Sequence, residues 1–186
     1  MLASSFLTLA LVLGATPAPA CHDGPPVVPA AELEKAPPAA AQARAGTVHD
    51  AVTTTSKKAQ ALHDQGLALF HAYDWIRAAR SFREATRQDA SLAMPWLGLS
   101  MVENALDDPA AARAAWKEAT ARAKKATKRE RARIEAWAKA LDAFEATEGA
   151  DRFADHRAAL DAALAKWPED AELLLMRGNA ASALPP

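Results

Sequence analysis

Few side chains in this sequence belong to the types that carry out chemistry, and their spacing limits what they can do. His63 and His71 are eight residues apart, which places them about 80° apart around a helix and two turns along it. A helical zinc pair uses one-turn spacing instead. Cys21 is the single cysteine, and an intrachain disulfide, dithiol chemistry or a Cys-rich metal site each requires more than one thiol. We therefore predict no metal site.

Catalysis and nucleotide binding find equally little support in the sequence. It contains no Gly-rich phosphate loop and no pattern that predicts a convergent nucleophile, base and oxyanion site. The net charge of -1 provides no long-range field that would attract nucleic acid. The predictions are therefore no catalytic residues, no cofactor, no nucleic-acid partner and no enzymatic activity.

Cys21 has a different significance when the residues before it are considered. Leu2–Gly14 is an apolar run of signal-peptide length that is too short to span a bilayer, and the small residues of Ala18-Pro19-Ala20 follow it. Residues 1–20 are therefore predicted to be a signal peptide, although no Lys or Arg precedes the apolar run. Cleavage after Ala20 would make Cys21 the first mature residue, where bacterial lipoproteins carry their lipid. Lipidation at Cys21 and ordinary cleavage with a free thiol both remain open, and either outcome predicts an extracytoplasmic protein that is periplasmic, a cell-envelope lipoprotein or secreted.

A cluster of cations lies in the second half of the chain. Residues 122–133 contain seven Lys and Arg and one acid, Glu130. Such a run can contact an acidic partner or anionic lipid headgroups, and the alternative is a solvated helix surface.

The elements that must position these residues are predicted to be helices. The chain is 51% hydrophobic with alanine dominant and few β-branched runs after position 56, which favours an all-α fold. Residues 21–45 are rich in Pro and Ala without apolar periodicity, so residues 21–55 are predicted to be a disordered tether that ends in a β-branched, polar and extended stretch, 46–55. The helical domain is predicted over 56–186, with Ser56 as its first N-cap.

The sequence repeats itself at one constant offset, from Asp74 to Asp108, which is the spacing of a helix-pair repeat. Small, aromatic and helix-capping residues recur together at that offset, in the pairs Asp74 and Asp108, Ala78 and Ala112, Phe82 and Trp116, Ala85 and Ala119, and, for small residues, Gly66 and Ser100. Asp74 and Asp108 each precede a predicted helix, and Pro109 stands at the favoured first helical position.

These repeats resemble consecutive tetratricopeptide-repeat (TPR) units, in residues 61–90 and 93–120. A longer third unit opens with the capping box Thr127-Lys128-Arg129-Glu130 and ends at Pro168, and Gly178 marks the first helix of a fourth. The chain is similar to exported bacterial TPR proteins. The resemblance implies a solenoid of antiparallel helix pairs, about three units plus one helix.

TPR units bind peptides in a concave groove lined by their first helices, so the resemblance implies a scaffold for protein–protein interaction. The implied peptide-binding residues are Gln60, His63, Leu67, Phe70, His71, Met94, Leu97, Met101 and Asn104. This mixed, rather apolar lining suits an apolar protein segment and lacks the cationic clamp for acidic chaperone tails.

Two further interpretations remain open. Related proteins usually continue beyond this point, so the chain is alternatively the helical accessory portion of a larger, truncated envelope enzyme or redox protein. The last helix is expected to expose Leu173, Leu174, Leu175 and Met176 without a helix to cover them. Self-association through this C-terminal helix is the other alternative.

Overall fold

The computed structural model describes residues 46–146 and 151–182. The predicted signal peptide 1–20, the lipidation candidate Cys21 and tether residues 21–45 lie outside the described residues. Within the two described ranges all regular structure is α-helical, with no strand, which confirms the all-α prediction for this part of the chain. The seven helices are α1 Lys57–His71, α2 Trp75–Gln88, α3 Met94–Ala105, α4 Pro109–Arg122, α5 Lys128–Glu145, α6 Ala154–Leu164 and α7 Ala171–Ser182.

Four helices begin at the polar residues that the sequence predicts as N-caps. The side chain of Ser56 accepts a hydrogen bond from the amide of Ala59, and Asp74 and Asp108 cap α2 and α4 in the same way. At α5, Thr127 and Glu130 form a reciprocal capping box. Each cap satisfies amides that a helix start leaves without an intrahelical acceptor.

The turn between α1 and α2 is repeated between α3 and α4. Tyr73 and Asp107 hold equivalent positions in the two repeats, and both adopt a left-handed backbone, with φ of 60° and 62°. The amide of Asp74 donates to the carbonyl of Leu69, and that of Asp108 to Glu103, each at 2.9 Å. A left-handed backbone costs a non-glycine residue roughly 1–2 kcal/mol, so its recurrence shows that both helical hairpins require the same sharp corner.

Close approach of three helices depends on two glycines. The ring of Phe82, on α2, is fully buried between Gly66 of α1 and Gly98 of α3. A Cβ atom at either glycine would come within 2.5 Å of the ring. Hydrogen is therefore the only side chain that these positions accept without a shift of the packing.

Helices pack on their neighbours in the chain, and α3 also contacts both α1 and α5. Tryptophans strengthen these junctions, since Trp137 of α5 donates to the hydroxyl of Ser100 at 2.7 Å and Trp116 donates to the carbonyl of Ile134 at 3.0 Å. The other three tryptophans pack against the two apolar cores. Since α3 contacts both α1 and α5, the first helices of the three helical hairpins lie side by side. We call the surface formed by α1, α3 and α5 the shared face.

The last helix differs from the expectation of a fully exposed apolar edge. Leu174 and Leu175 are 50% and 46% exposed, whereas Leu173 and Met176 are buried. The prediction of four exposed residues is thus wrong for the latter two, because α7 turns one face onto α6 and the core. No helix in residues 46–146 or 151–182 is both long and apolar enough to cross a membrane.

Candidate functional site

The predicted groove residues all lie on α1 and α3, and the structure divides them by exposure. Gln60, Phe70, His71 and Asn104 are partly exposed. The buried members are His63, Leu67, Met94, Leu97 and Met101. Residues from 46–55, α5 and α7 lie over the side chains of these five and bury them.

Residues 46–55, which we call the strap, lie along α1 before the chain enters that helix. The amide of Asp50 donates to Asp64 at 3.1 Å. The Gln60 side chain accepts from the amide of Val52 at 3.0 Å and donates to the carbonyl of Asp50 at 2.8 Å. One glutamine amide therefore satisfies two backbone groups of the strap, and the strap is part of the packed structure.

The strap also bonds to the first turn of α5. Oε1 and Oε2 of Glu130 accept from the amide and hydroxyl of Thr53, at 2.9 and 2.5 Å. Arg129 donates to the carbonyl of Ala51 at 2.5 Å. Burial alone would raise the pKa of Glu130, but hydrogen bonds from Thr53 and Thr127 outweigh it and lower that pKa. The carboxylate that caps α5 thus also holds the strap.

A buried ion network joins the strap to α5 and to Asp170, which directly precedes α7. Arg133 of α5 is 2% exposed and donates to Asp50 at 2.7 Å and to both carboxylate oxygens of Asp170 at 2.6 and 2.7 Å. Nε2 of His63 lies 3.2 Å from Asp50. Burial would raise the pKa of Asp50, but hydrogen bonds from His63 and Arg133 hold it well below its usual range.

His71 forms a second connection across the same face. Its Nε2 lies 2.9 Å from Oε1 of Glu172 on α7, and this hydrogen bond raises the pKa of His71 despite partial burial. The two histidines thus belong to separate carboxylate pairs. Among the described residues, no three His, Asp or Glu side chains are grouped so that they could hold a metal ion.

The cation-rich run is largely committed to contacts within the chain. Arg122 donates to the carbonyl of Ala90 at 2.8 Å and lies 4.9 Å from the ring of Trp96. Arg131 donates to the carbonyl of Ala126 at 2.5 Å, and Arg129 and Arg133 hold the strap. The exposed cations of the run are Lys124, Lys125 and Lys128.

Beyond the strap, the shared face contains an open pocket of about 290 Å³, here called the aromatic pocket. Its walls come from α1, α3, α5, the start of α6, and α7. They include Phe70, Met101, Asn104, Trp137, Phe144, Phe153, His156 and Met176. The Phe144 and Phe153 rings meet edge to face at 5.1 Å, a favourable aromatic geometry.

His156 is the most buried polar group of the aromatic pocket, at 4% exposure. Its Nδ1 lies 2.8 Å from the carbonyl oxygen of Ala136. A carbonyl only accepts, so Nδ1 carries a hydrogen. Burial lowers the pKa of His156, and the neutral ring therefore presents Nε2 as a hydrogen-bond acceptor.

Sequence reasoning assigned Phe70, Met101 and Asn104 to a binding surface, and the structure brings these three together in the aromatic pocket. The sequence patterns did not identify Phe144, Phe153 or His156 as members of this surface. Spacing offered a signal for Arg133, which lies four residues before Trp137 and seven before Ala140 and so shares their helix face. A cation on an otherwise apolar face indicates a buried ion pair.

Comparison of the chain with protein-family models, with curated proteins and with solved structures gives no significant match.

Proposed function

We propose that this chain is a TPR-type solenoid that acts as a non-enzymatic scaffold and binds an apolar segment of another protein on the face formed by its first helices. Support comes from the two hairpins with the same left-handed corner, at Tyr73 and at Asp107, and from the contacts that α3 makes with α1 and α5. Stacked helix pairs of this kind present an extended surface suited to a peptide.

The aromatic pocket is the observation that carries the proposal. Where the strap and α7 cover the shared face, a space of only about 10 Å³ remains, whereas the aromatic pocket keeps about 290 Å³. A largely apolar concavity with a few polar groups is the usual form of a binding site. A bound segment would therefore place one apolar side chain against Phe70 and Met101, with Asn104 beside it.

The buried charges suit a scaffold better than a catalyst. Asp50 and Asp170 each accept a hydrogen bond from Arg133, and Glu172 is bonded to His71. Groups paired in this way fix the helices relative to each other.

The proposed location is extracytoplasmic, on the basis of the signal-peptide pattern in residues 1–20. Mass spectrometry of the mature N-terminus tests this, because a thioether lipid on Cys21 or a free terminal cysteine each requires cleavage after Ala20. An uncleaved Met1 in the native host would contradict the proposal of export.

Site-specific photocrosslinking tests the binding proposal. p-Benzoylphenylalanine at position 104 lies in the aromatic pocket, and the same group at exposed Lys117 on α4 is the matched control. We expect a discrete crosslinked protein at 104 that is absent at 117 and is lost when Phe144, 44% exposed at the pocket, is changed to Asp. Identical products at both positions, or products that persist in Phe144→Asp, would reject the aromatic pocket as the binding site.

A further inference from the structure

The chemistry of the aromatic pocket specifies the side chain that it takes. We infer that the aromatic pocket selects an aromatic side chain with a hydrogen-bond donor, the phenol of Tyr or the indole of Trp, and that Nε2 of His156 accepts this hydrogen bond. The inference rests on the proposed function and adds to it the identity of the anchoring residue in the partner.

One ring nitrogen of His156 is available to a ligand. Nδ1 is occupied by the carbonyl of Ala136 at 2.8 Å. Within the described part of the chain, Nε2 has no hydrogen-bond partner. It is not one of the side-chain atoms that lack a partner and are also shielded from solvent. The imidazole ring lines the aromatic pocket. A ligand that enters without a donor covers this acceptor and leaves it unsatisfied, which costs binding free energy. A ligand with an O–H or N–H donor avoids that cost.

The walls of the aromatic pocket favour an aromatic guest. Trp137, Phe144 and Phe153 contribute aromatic rings, with ring centroids 6.2 Å apart for Trp137 and Phe144, and Met101 and Met176 contribute thioethers. Aromatic edges and faces, and sulfur beside a ring, favour an aromatic guest over an aliphatic one. An apolar cavity of about 150 Å³ holds benzene, so about 290 Å³ admits a phenol or an indole.

The polar groups on the walls decide which guest satisfies them. Among the described residues that line the aromatic pocket there is no Asp or Glu, so these walls offer a Lys or Arg side chain no counter-charge for its lost hydration. Asn104 and Asn179 also line the pocket, but Asn104 is partly exposed and Asn179 is exposed, so water can satisfy their amides. The nearly buried His156 is therefore the group whose hydrogen bond depends on the guest.

The test compares N-acetyl-L-tyrosinamide with N-acetyl-L-phenylalaninamide, which differ only in the hydroxyl group. Binding to the full chain is followed by NMR titration, with the ring nitrogens of His156 observed directly. We expect the tyrosine probe to bind about two- to tenfold more tightly, as one net hydrogen bond provides, and to shift the Nε2 resonance of His156. His156→Phe, which keeps a ring but removes the acceptor, should equalise the two affinities, while Asn104→Leu should preserve the preference.

Several outcomes would overturn the inference. Equal affinities in the wild-type chain would show that the hydroxyl is not recognised, and a preference that survives in His156→Phe would assign it to another group. If His156→Phe does not fold, the wild-type Nε2 resonance decides, because it must move with the tyrosine probe and stay in place with the phenylalanine probe. Crosslinking at position 104 is independent of these probes, so an apolar segment without Tyr or Trp captured there would reject the inference and leave the proposed function standing.

Discussion

The guanidinium of Arg133 bonds to the carboxylate of Asp50 at 2.7 Å, across 83 residues of sequence. The same guanidinium bonds Asp170, whose Oδ1 also accepts from the amide of Leu173 in the first turn of α7. Arg129 lies 3.4 Å from Asp50 and 3.8 Å from Asp170 as well, but Arg133 makes the shorter contacts and is the more buried of the two cations. Since Arg133 bonds to both buried carboxylates, its removal should affect the strap, α5 and α7 together.

Arg133→Met is expected to lower the free energy of unfolding by about 3–5 kcal/mol, because a buried pair that loses one partner leaves uncompensated charge behind. Urea denaturation followed by circular dichroism measures this. The matched control is Arg113→Met, at a more exposed pair with Asp142 and Glu145, where about 0–1 kcal/mol is expected. Similar losses in the two variants would contradict the role given to the buried network.

Alanine substitutions at Gly66 and Gly178 should change stability in opposite directions. The new methyl at position 66 would lie 2.5 Å from the Phe82 ring, whereas at position 178 it meets nothing within 4 Å. Gly66→Ala is expected to destabilise by about 1–3 kcal/mol through overpacking. Gly178→Ala should stabilise α7 by about 0.5–1 kcal/mol because alanine is the better helix former. Thermal unfolding of both variants checks the pair of signs, and a gain in stability for Gly66→Ala would contradict the close packing of α1 on α2.

Local and periodic signals explain why the helices could be predicted from the sequence. Ser56, Asp74, Asp108 and Thr127 bind amides within three residues of themselves, so their types and neighbours suffice to locate helix starts. The constant repeat offset likewise reports a unit that recurs locally.

The strap and the aromatic pocket depend on contacts that no local pattern encodes. Thr53 bonds to Glu130 across 77 residues, so composition alone made residues 46–55 look like an extension of the tether. Phe144 lies on α5 and Phe153 directly precedes α6, and they line one pocket with Phe70 only in the folded chain. Individual aromatic residues in helices are equally compatible with ordinary core packing, and sequence reasoning did not distinguish the two.

Hydrogen exchange should detect docking of the strap directly. The amide of Val52 is bonded to Oε1 of Gln60 at 3.0 Å, so we expect it to exchange more slowly than an unstructured amide. Gln60→Leu removes this acceptor and should accelerate exchange at Val52 by about tenfold, equivalent to roughly 1.4 kcal/mol. Gln88→Leu is the control, because its amide bonds to Glu84 within α2. Random-coil exchange at Val52 in the wild-type chain would show that the strap does not occupy this position in solution.

The contact between His71 and Glu172 should give the protein a pH-dependent stability that a single substitution removes. The pKa of His71 is raised above its ordinary value of 6.5 by the hydrogen bond to Glu172, so the folded state binds its proton more tightly than the unfolded state. The stabilisation is fully present below pH 6.5 and is lost as the pH rises through the raised pKa. Burial lowers the pKa of His156, which has the opposite effect, but only as the pH falls below 6.5. Urea unfolding from pH 6.5 upwards should therefore show a decline in wild-type stability that is missing in His71→Gln, and parallel curves for the two proteins would mean that this contact does not hold α1 to α7.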